Sequence, residues 1–316
     1  MFSRRQFLGT SLAAPLLSAS PRFRFRSDFW INLHHFVRAE ARRRMLGATR
    51  ALPSLEDSVL ETYERHARAS LIFDKELVAL KDALVEGSRP SQALQRAADV
   101  YRDQIWPSQD RENRFWIERV EPSVARDSPR VMKQLGSAYG AKWLKGAILV
   151  DVCPDTGPTL AYTTGRPRGT AGHVVIDPGR CAELDVAFEI VFHEASHTVD
   201  DQIVAALNGV AARVGRKAPE DLWHAIIFHT AGFAASRARP RPDFVPYARR
   251  FNIHPQFWRA LDDHWQPWLE GKISRGEALE GLVRAAYAGL RGTPLLRLEG
   301  KEYIVQDGDV LVIRHG

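Results

Sequence analysis

Cysteine is almost missing from this chain: Cys153 and Cys181 are the only two in 316 residues. Two thiols cannot staple a disulfide scaffold or fill a four-cysteine zinc ribbon. Whether they pair with each other or stay free is open at this level. No apolar run reaches the roughly 20 residues that a membrane-spanning helix needs, so no transmembrane segment is expected in the mature chain. Internal repeats and low-complexity stretches are also missing. Lysine is scarce: 8 of the 44 basic residues are Lys, and the rest are Arg. What is present is 45% hydrophobic and 26% charged residues, the balance of a globular chain able to bury a large core. That excludes a disordered tail, a collagen-like fibre and a multi-span membrane protein. The length alone suggests two domains at about 150 residues each.

The net charge of +6 and the pI near 9.5 have a local origin. Residues 1–26 hold Arg4, Arg5, Arg22, Arg24 and Arg26 and no acid. The remaining Arg-rich stretches are scattered, so no nucleic-acid partner is expected. Ser3-Arg4-Arg5-Gln6-Phe7-Leu8, followed by a short and moderately apolar run to Leu17, resembles a twin-arginine export signal. That resemblance implies a signal peptide over 1–20, passage through the twin-arginine translocation machinery, and a periplasmic or secreted location.

The rest of the chain divides by pattern. Residues 28–146 read as a helical N-terminal subdomain. A helix is expected from Asp28 to about Arg50, and a long amphipathic stretch from Ser54 to Gly87. A third helix runs from Pro90 to Trp106. Residues 108–146 are expected to be broken by Pro122 and Pro129, with a helix from Arg130 to Leu144. Asn32, His34 and His35, with no acid at ligand spacing, read as surface or second-layer residues. Strands follow at Ala147–Val152, Leu160–Thr164 and His173–Asp177. One long helix is expected from about Cys181 to Leu207 and another from Pro219 to Ala235. Further helices cover Pro255–Leu269 and Ser274–Gly289. The region 147–290 thus combines a small sheet with helices, and 291–316 reads as a C-terminal β-hairpin tail around Asp307-Gly308-Asp309. The expected class is α+β, mainly α, with a helical N-terminal half.

His193-Glu194-Ala195-Ser196-His197 is HExxH. On a helix, residues four apart lie about 40° apart round the axis, so both imidazoles reach one ion from one face. Glu194 falls beside that ion, placed to take a proton from a water that the metal activates. If the helix continues, Asp200 returns to the ligand stripe and Asp201 lies one turn past His197. Either acid can accept the second ring N–H of a ligand and set its tautomer.

His193-Glu194-Ala195-Ser196-His197-Thr198-Val199-Asp200-Asp201 resembles the motif helix of anthrax-lethal-factor-like peptidases, within the zincin metallopeptidases. The likeness covers about nine residues strictly and about 145–250 as an order of elements. It implies a zincin-like fold, bound Zn2+, and a peptide or protein substrate. The metzincin extension is missing. The third ligand stays open among four residues of the next helix. His224, embedded in an apolar run, is preferred over Glu220 (the gluzincin-like choice), His229 and Asp221. Tyr247, or whichever of His224 and His229 is not a ligand, is the candidate donor to the oxygen that gains charge. The family pattern also suggests that the strand at Gly172–Asp177 is an edge that pairs with substrate, with Arg166 and Arg168 bordering the cleft. Two readings result: an exported zinc-dependent hydrolase with Glu194 as general base, or a non-catalytic exported binding or envelope-assembly protein with a structural or degenerate HExxH. In the second, the tail is a docking module.

Overall fold

Arg22-Phe23-Arg24-Phe25-Arg26 alternates charge and aromatic at period two, the pattern of a strand with one covered face. In the computed structural model it forms β1 (Arg22–Arg26), a strand absent from those expected above. The structure describes residues 22–66, 72, 74–157 and 159–290. The expected signal peptide at 1–20 and the expected hairpin tail at 291–316 lie outside the described residues. β1 pairs in parallel with β2 (Ala147–Val152), which pairs in parallel with β4 (Gly172–Ile176). β3 (Ala161–Thr163) runs antiparallel along β4, so the order is β1-β2-β4-β3. β4 is therefore interior, and β3 takes the edge expected of it.

The helices are α1 (Phe29–Met45), α2 (Asp57–Glu64), α3 (Lys75–Val85), α4 (Gln92–Gln104) and α5 (Trp106–Tyr139) before β2. After the sheet come α6 (Leu184–Ser196), α7 (Asp200–Arg213), α8 (Leu222–Ala238) and α9 (Tyr247–Arg250). The chain closes with α10 (Trp258–Ala260), a π-turn at Leu261–Trp265, α11 (Gln266–Leu269) and α12 (Arg275–Leu290). The fold is α+β and mainly α. Among the described residues, no helix is long and apolar enough to cross a membrane.

Strand alternation sorts the sheet into two faces. Phe23, Ile148, Val150, Val152, Val174 and Ile176 join the core built with α5, α6 and α8. Asp151, Tyr162 and His173 point the other way, toward α1 and α3. Helices α1 to α4 share a second apolar core around Leu33, Val59, Leu94 and Tyr101. The helical half expected over 28–146 thus contains two packing units, with α5 belonging to the sheet's core.

Pro122 and Pro129 do not break α5, which runs through both. Each proline removes one helical hydrogen bond at a cost of roughly 3 kcal/mol. The buried stripe of Trp116, Val120, Val124, Val131, Met132 and Leu135 continues across them, and each such side chain contributes about 1.5–3 kcal/mol. Packing outweighs the local penalty. The stretch expected as one helix from Ser54 to Gly87 is instead divided into α2 and α3.

Asn32, His34 and His35 are buried, not on the surface. Asn32 Nδ2 donates to Val152 O at 3.1 Å and its Oδ1 accepts from Asn113 Nδ2 at 3.0 Å. His34 Nδ1 lies 3.0 Å from the Tyr63 hydroxyl, and His35 Nε2 lies 2.6 Å from that of Tyr162. Cover on several sides of α1 decides this, and helical spacing within α1 carries no sign of it.

The helix expected to run to Leu207 stops at Ser196. His197, Thr198 and Val199 make i→i+3 bonds to Glu194, Ala195 and Ser196, and α7 starts afresh at Asp200. Thr198 at this corner sits so close to β4 that a Cβ on Gly172 would lie 2.2 Å from its Cγ2. Thr198 is buried and its hydroxyl is tied to Ala195 O at 2.8 Å, so it has no room to retreat. Gly172→Ala should therefore lower stability by about 1–3 kcal/mol, read from the urea midpoint. Gly209→Ala, exposed on α7 with open space around it, should raise stability by up to about 1 kcal/mol. A neutral Gly172→Ala would show that the corner is not fixed by this contact.

Candidate metal centre

Helix α6 carries His193 and Glu194 in its last turn, and His197 caps its C-terminal end. Helix α8 crosses it and brings His224 alongside. His193 Nε2 lies 3.3 Å from His197 Nε2 and 3.4 Å from His224 Nε2. One nitrogen from each of the three lies within 4.8 Å of the others, and the group could hold a metal ion. His193 is almost fully buried. Phe228 stacks on it with ring centroids 3.7 Å apart, and Trp223 stacks on His224 at 5.0 Å. These aromatic rings keep the nitrogens in a low-dielectric pocket.

The site's electrostatics follow from that burial. Desolvation, reinforced by the neighbouring histidines, holds His193 and His224 well below the usual histidine range. They are neutral imidazoles at pH 7, the form that binds metal. Burial also acts to lower His197, but the Asp200 hydrogen bond and the charges of Glu194 and Asp200 outweigh it, and His197 is raised. Burial pushes Glu194 up, against opposing pulls from His197 and Thr163.

Asp200 Oδ2 accepts from His197 Nδ1 at 3.1 Å. The residue expected beside the ligands is there, but it arrives from the start of α7 and not from two continuous turns of one helix. Asp201 is exposed and is bonded to Gln202. Of the four third-ligand candidates, only His224 joins the group. Glu220 is exposed, and Asp221 precedes α8 in a left-handed conformation with φ 62°, so neither sits in the first helical turn. His229 turns to Gln266 at 2.8 Å and lines a separate cavity of about 180 Å³ with Phe233 and Trp258.

Tyr247 opens α9. Its ring stacks on Phe228 at 6.1 Å and packs against Phe251 at 4.6 Å. Its backbone N–H donates to both oxygens of Glu189, at 3.0 and 2.9 Å. Arg166 donates to Thr198 O at the corner after His197, while Arg168 is held through its backbone N–H by Glu86 at 2.7 Å. Cys153 and Cys181 are free and buried.

Two neighbours of the centre carry no sequence signal. His254, with φ 51°, places Nε2 3.4 Å from His224 Nδ1. Thr163, at the end of the edge strand β3, bonds to Glu194. A lone His before Pro255 and a Thr in a short strand become meaningful only when the chain folds back.

Glu189, one turn before His193, is buried, and desolvation pushes its carboxyl up to about 8. An unfolded glutamate titrates near 4.5, so the folded chain keeps this proton between about pH 4.5 and 8. The stability linked to it is fully present below 4.5 and lost as pH rises through 8. Across about pH 5 to 8, where wild type loses this contribution, Glu189→Gln should lack that part of the fall in melting temperature. Parallel curves for the two proteins would exclude Glu189 as the cause.

No family model matches the chain, and no match is found among curated proteins or solved structures.

Proposed function

We propose that this protein is an exported zinc-dependent hydrolase, a zincin-like metallopeptidase acting on peptide or protein substrates. The observation that carries the reading is the distance of His193 Nε2 from the Nε2 atoms of His197 and His224. For zinc–nitrogen bonds of roughly 2.0–2.1 Å in tetrahedral geometry, the edge between two ligand nitrogens is about 3.3 Å. The separations here are 3.3 and 3.4 Å. Three neutral or readily deprotonated imidazoles leave a fourth position open, as catalytic rather than structural sites do.

Zinc held by His193, His197 and His224 would polarise a carbonyl and make a water acidic enough to ionise near neutral pH. The chain's own groups do the rest. Glu194, desolvated at the rim of the centre, takes the water's proton and returns it to the leaving nitrogen. Asp200 fixes the tautomer of His197, and His254 does the same for His224. Tyr247, linked to His193 through Phe228, is the donor assigned to the oxygen that gains charge.

Export rests on Ser-Arg-Arg-Gln-Phe-Leu at 3–8, with the twin-arginine machinery as transport partner and the periplasm or exterior as destination. Cleavage after residue 20 would leave β1 whole. The test is made on the full chain purified from its exported fraction. It should hold about one zinc per chain and cleave members of a mixed peptide library. A chelator should stop cleavage and added zinc should restore it. A metal-free protein that cleaves nothing would end this reading in favour of a non-catalytic binding or envelope-assembly role, and cleavage that survives the chelator would remove zinc from the reaction.

A further inference from the structure

We propose that Thr163 is the positioning residue for Glu194, holding its side chain in place both before and after Glu194 has taken a proton. This rests on the hydrolase reading above. Thr163 Oγ1 lies 2.8 Å from Glu194 Oε2 and 2.9 Å from the backbone oxygen of the same residue. Among the described residues, no other side chain hydrogen-bonds this carboxylate. Glu194 is 6% exposed, so water offers it little else.

A threonine hydroxyl has one proton to donate and two lone pairs to accept with. While Glu194 is a carboxylate, the hydroxyl donates to Oε2. Once Glu194 carries the proton, Oε2–H donates to Oγ1, and the hydroxyl turns about its C–O bond to donate to the backbone oxygen. Both arrangements use the same heavy-atom positions. Over a cycle, a water O–H bond breaks as its oxygen bonds to the carbonyl carbon, and the proton moves to Glu194. It then passes to the nitrogen as the C–N bond breaks. Thr163 neither gains nor loses a proton. Such a site avoids reorganisation in the transition state.

The strand sets the aim of this hydroxyl. Residues two apart share a face, so Ala161 and Thr163 turn to α6 while Tyr162 points to the opposite side. There its hydroxyl meets His35 at 2.6 Å. That bond pins β3 from behind, and the antiparallel pairing of Thr163 with Val174 fixes its register.

The experiment compares Thr163→Val, which keeps the shape and loses the hydroxyl, with Thr163→Ser, which keeps the hydroxyl, in the zinc-loaded full chain. Losing a hydrogen bond to a charged group should lower kcat about 10- to 100-fold in Thr163→Val, with KM nearly unchanged and zinc content intact. The infrared carboxylate band assigned to Glu194, by its disappearance in Glu194→Gln, should shift in Thr163→Val. Thr163→Ser should return both kcat and the band to near wild type. If Thr163→Val does not fold, Thr163→Ala takes its place against the serine variant. An unshifted band, an undiminished kcat, or a serine variant as impaired as valine would overturn the proposal. If the wild-type protein cleaves nothing, the hydrolase reading fails on its own, and the infrared comparison still decides whether Thr163 holds Glu194.

Discussion

In the proposed zinc hydrolase, Glu194→Gln should keep the metal and lose hydrolysis by about 10²- to 10⁴-fold, the range of general acid–base contributions. The amide has the size of the carboxylate and keeps an oxygen to accept from Thr163, so the centre's shape survives. It cannot accept a proton from water near neutral pH. Glu194 is not among the three histidines that could hold an ion, so metal content should stay near wild type. The measurement pairs metal analysis with kcat on the best substrate from the peptide library. A variant that keeps more than about a tenth of wild-type turnover would remove Glu194 as the base. One that loses zinc would make Glu194 a structural part of the site.

The second large effect is on stability. Asp151, at the centre of β2, is 0% exposed. Its Oδ1 accepts from Arg26 Nε at 2.9 Å, and its Oδ2 meets Arg26 Nη2 at 2.5 Å and His173 Nε2 at 2.7 Å. His173 Nδ1 lies 2.7 Å from Lys81 Nζ, and Lys81 pairs with Asp82 at 2.6 Å. The chain of contacts crosses four elements: β1, β2, β4 and α3. Burial alone would raise Asp151, but His173 and Arg26 outweigh it and hold it below the usual carboxylate range. Asp151→Ala leaves Arg26 without its counter-charge and His173 without its carboxylate partner, while Lys81 keeps Asp82. The expected loss is about 3–5 kcal/mol, the cost of breaking a buried pair from one side, measured by urea unfolding. A loss below about 1 kcal/mol, the scale of an exposed pair, would mean that water reaches the network. Removing Arg26 as well, as Arg26→Met in the Asp151→Ala background, should recover part of the loss, because no unpaired charge then remains beside the site.

Much of the centre was legible because its information is local. His193 and His197 are one helical turn apart, and that spacing is a property of any α-helix. His224 was preferred because an imidazole among Trp223, Ile226, Ile227 and Phe228 needs a partner. Asp200 was found for an incomplete reason, since the helix that was to carry it ends at Ser196. Its three-residue separation from His197 across the corner serves the same contact. What could not be read depends on encounters between distant parts of the chain. Thr163 and Glu194 are 31 residues apart, and His254 and His224 are 30 apart. Neither pair has a periodicity to reveal it. β1 has one, in Arg-Phe-Arg-Phe-Arg, but that run adjoins the expected export signal and its arginines read equally as part of that signal's basic stretch.

The amino-acid sequence by itself determined the class of fold, the HExxH helix, the pair of histidines and the glutamate beside them. Those follow from composition and from the 3.6- and 2-residue periods of the backbone. Tertiary structure decided which of four candidates joins His193 and His197, because only the crossing of α8 over α6 turns His224 inward and His229 toward Gln266. It also decided that α5 runs through two prolines and that Asn32, His34 and His35 are interior. In each case burial against another element exceeded a local preference worth a few kcal/mol, and no local pattern in the chain records that burial.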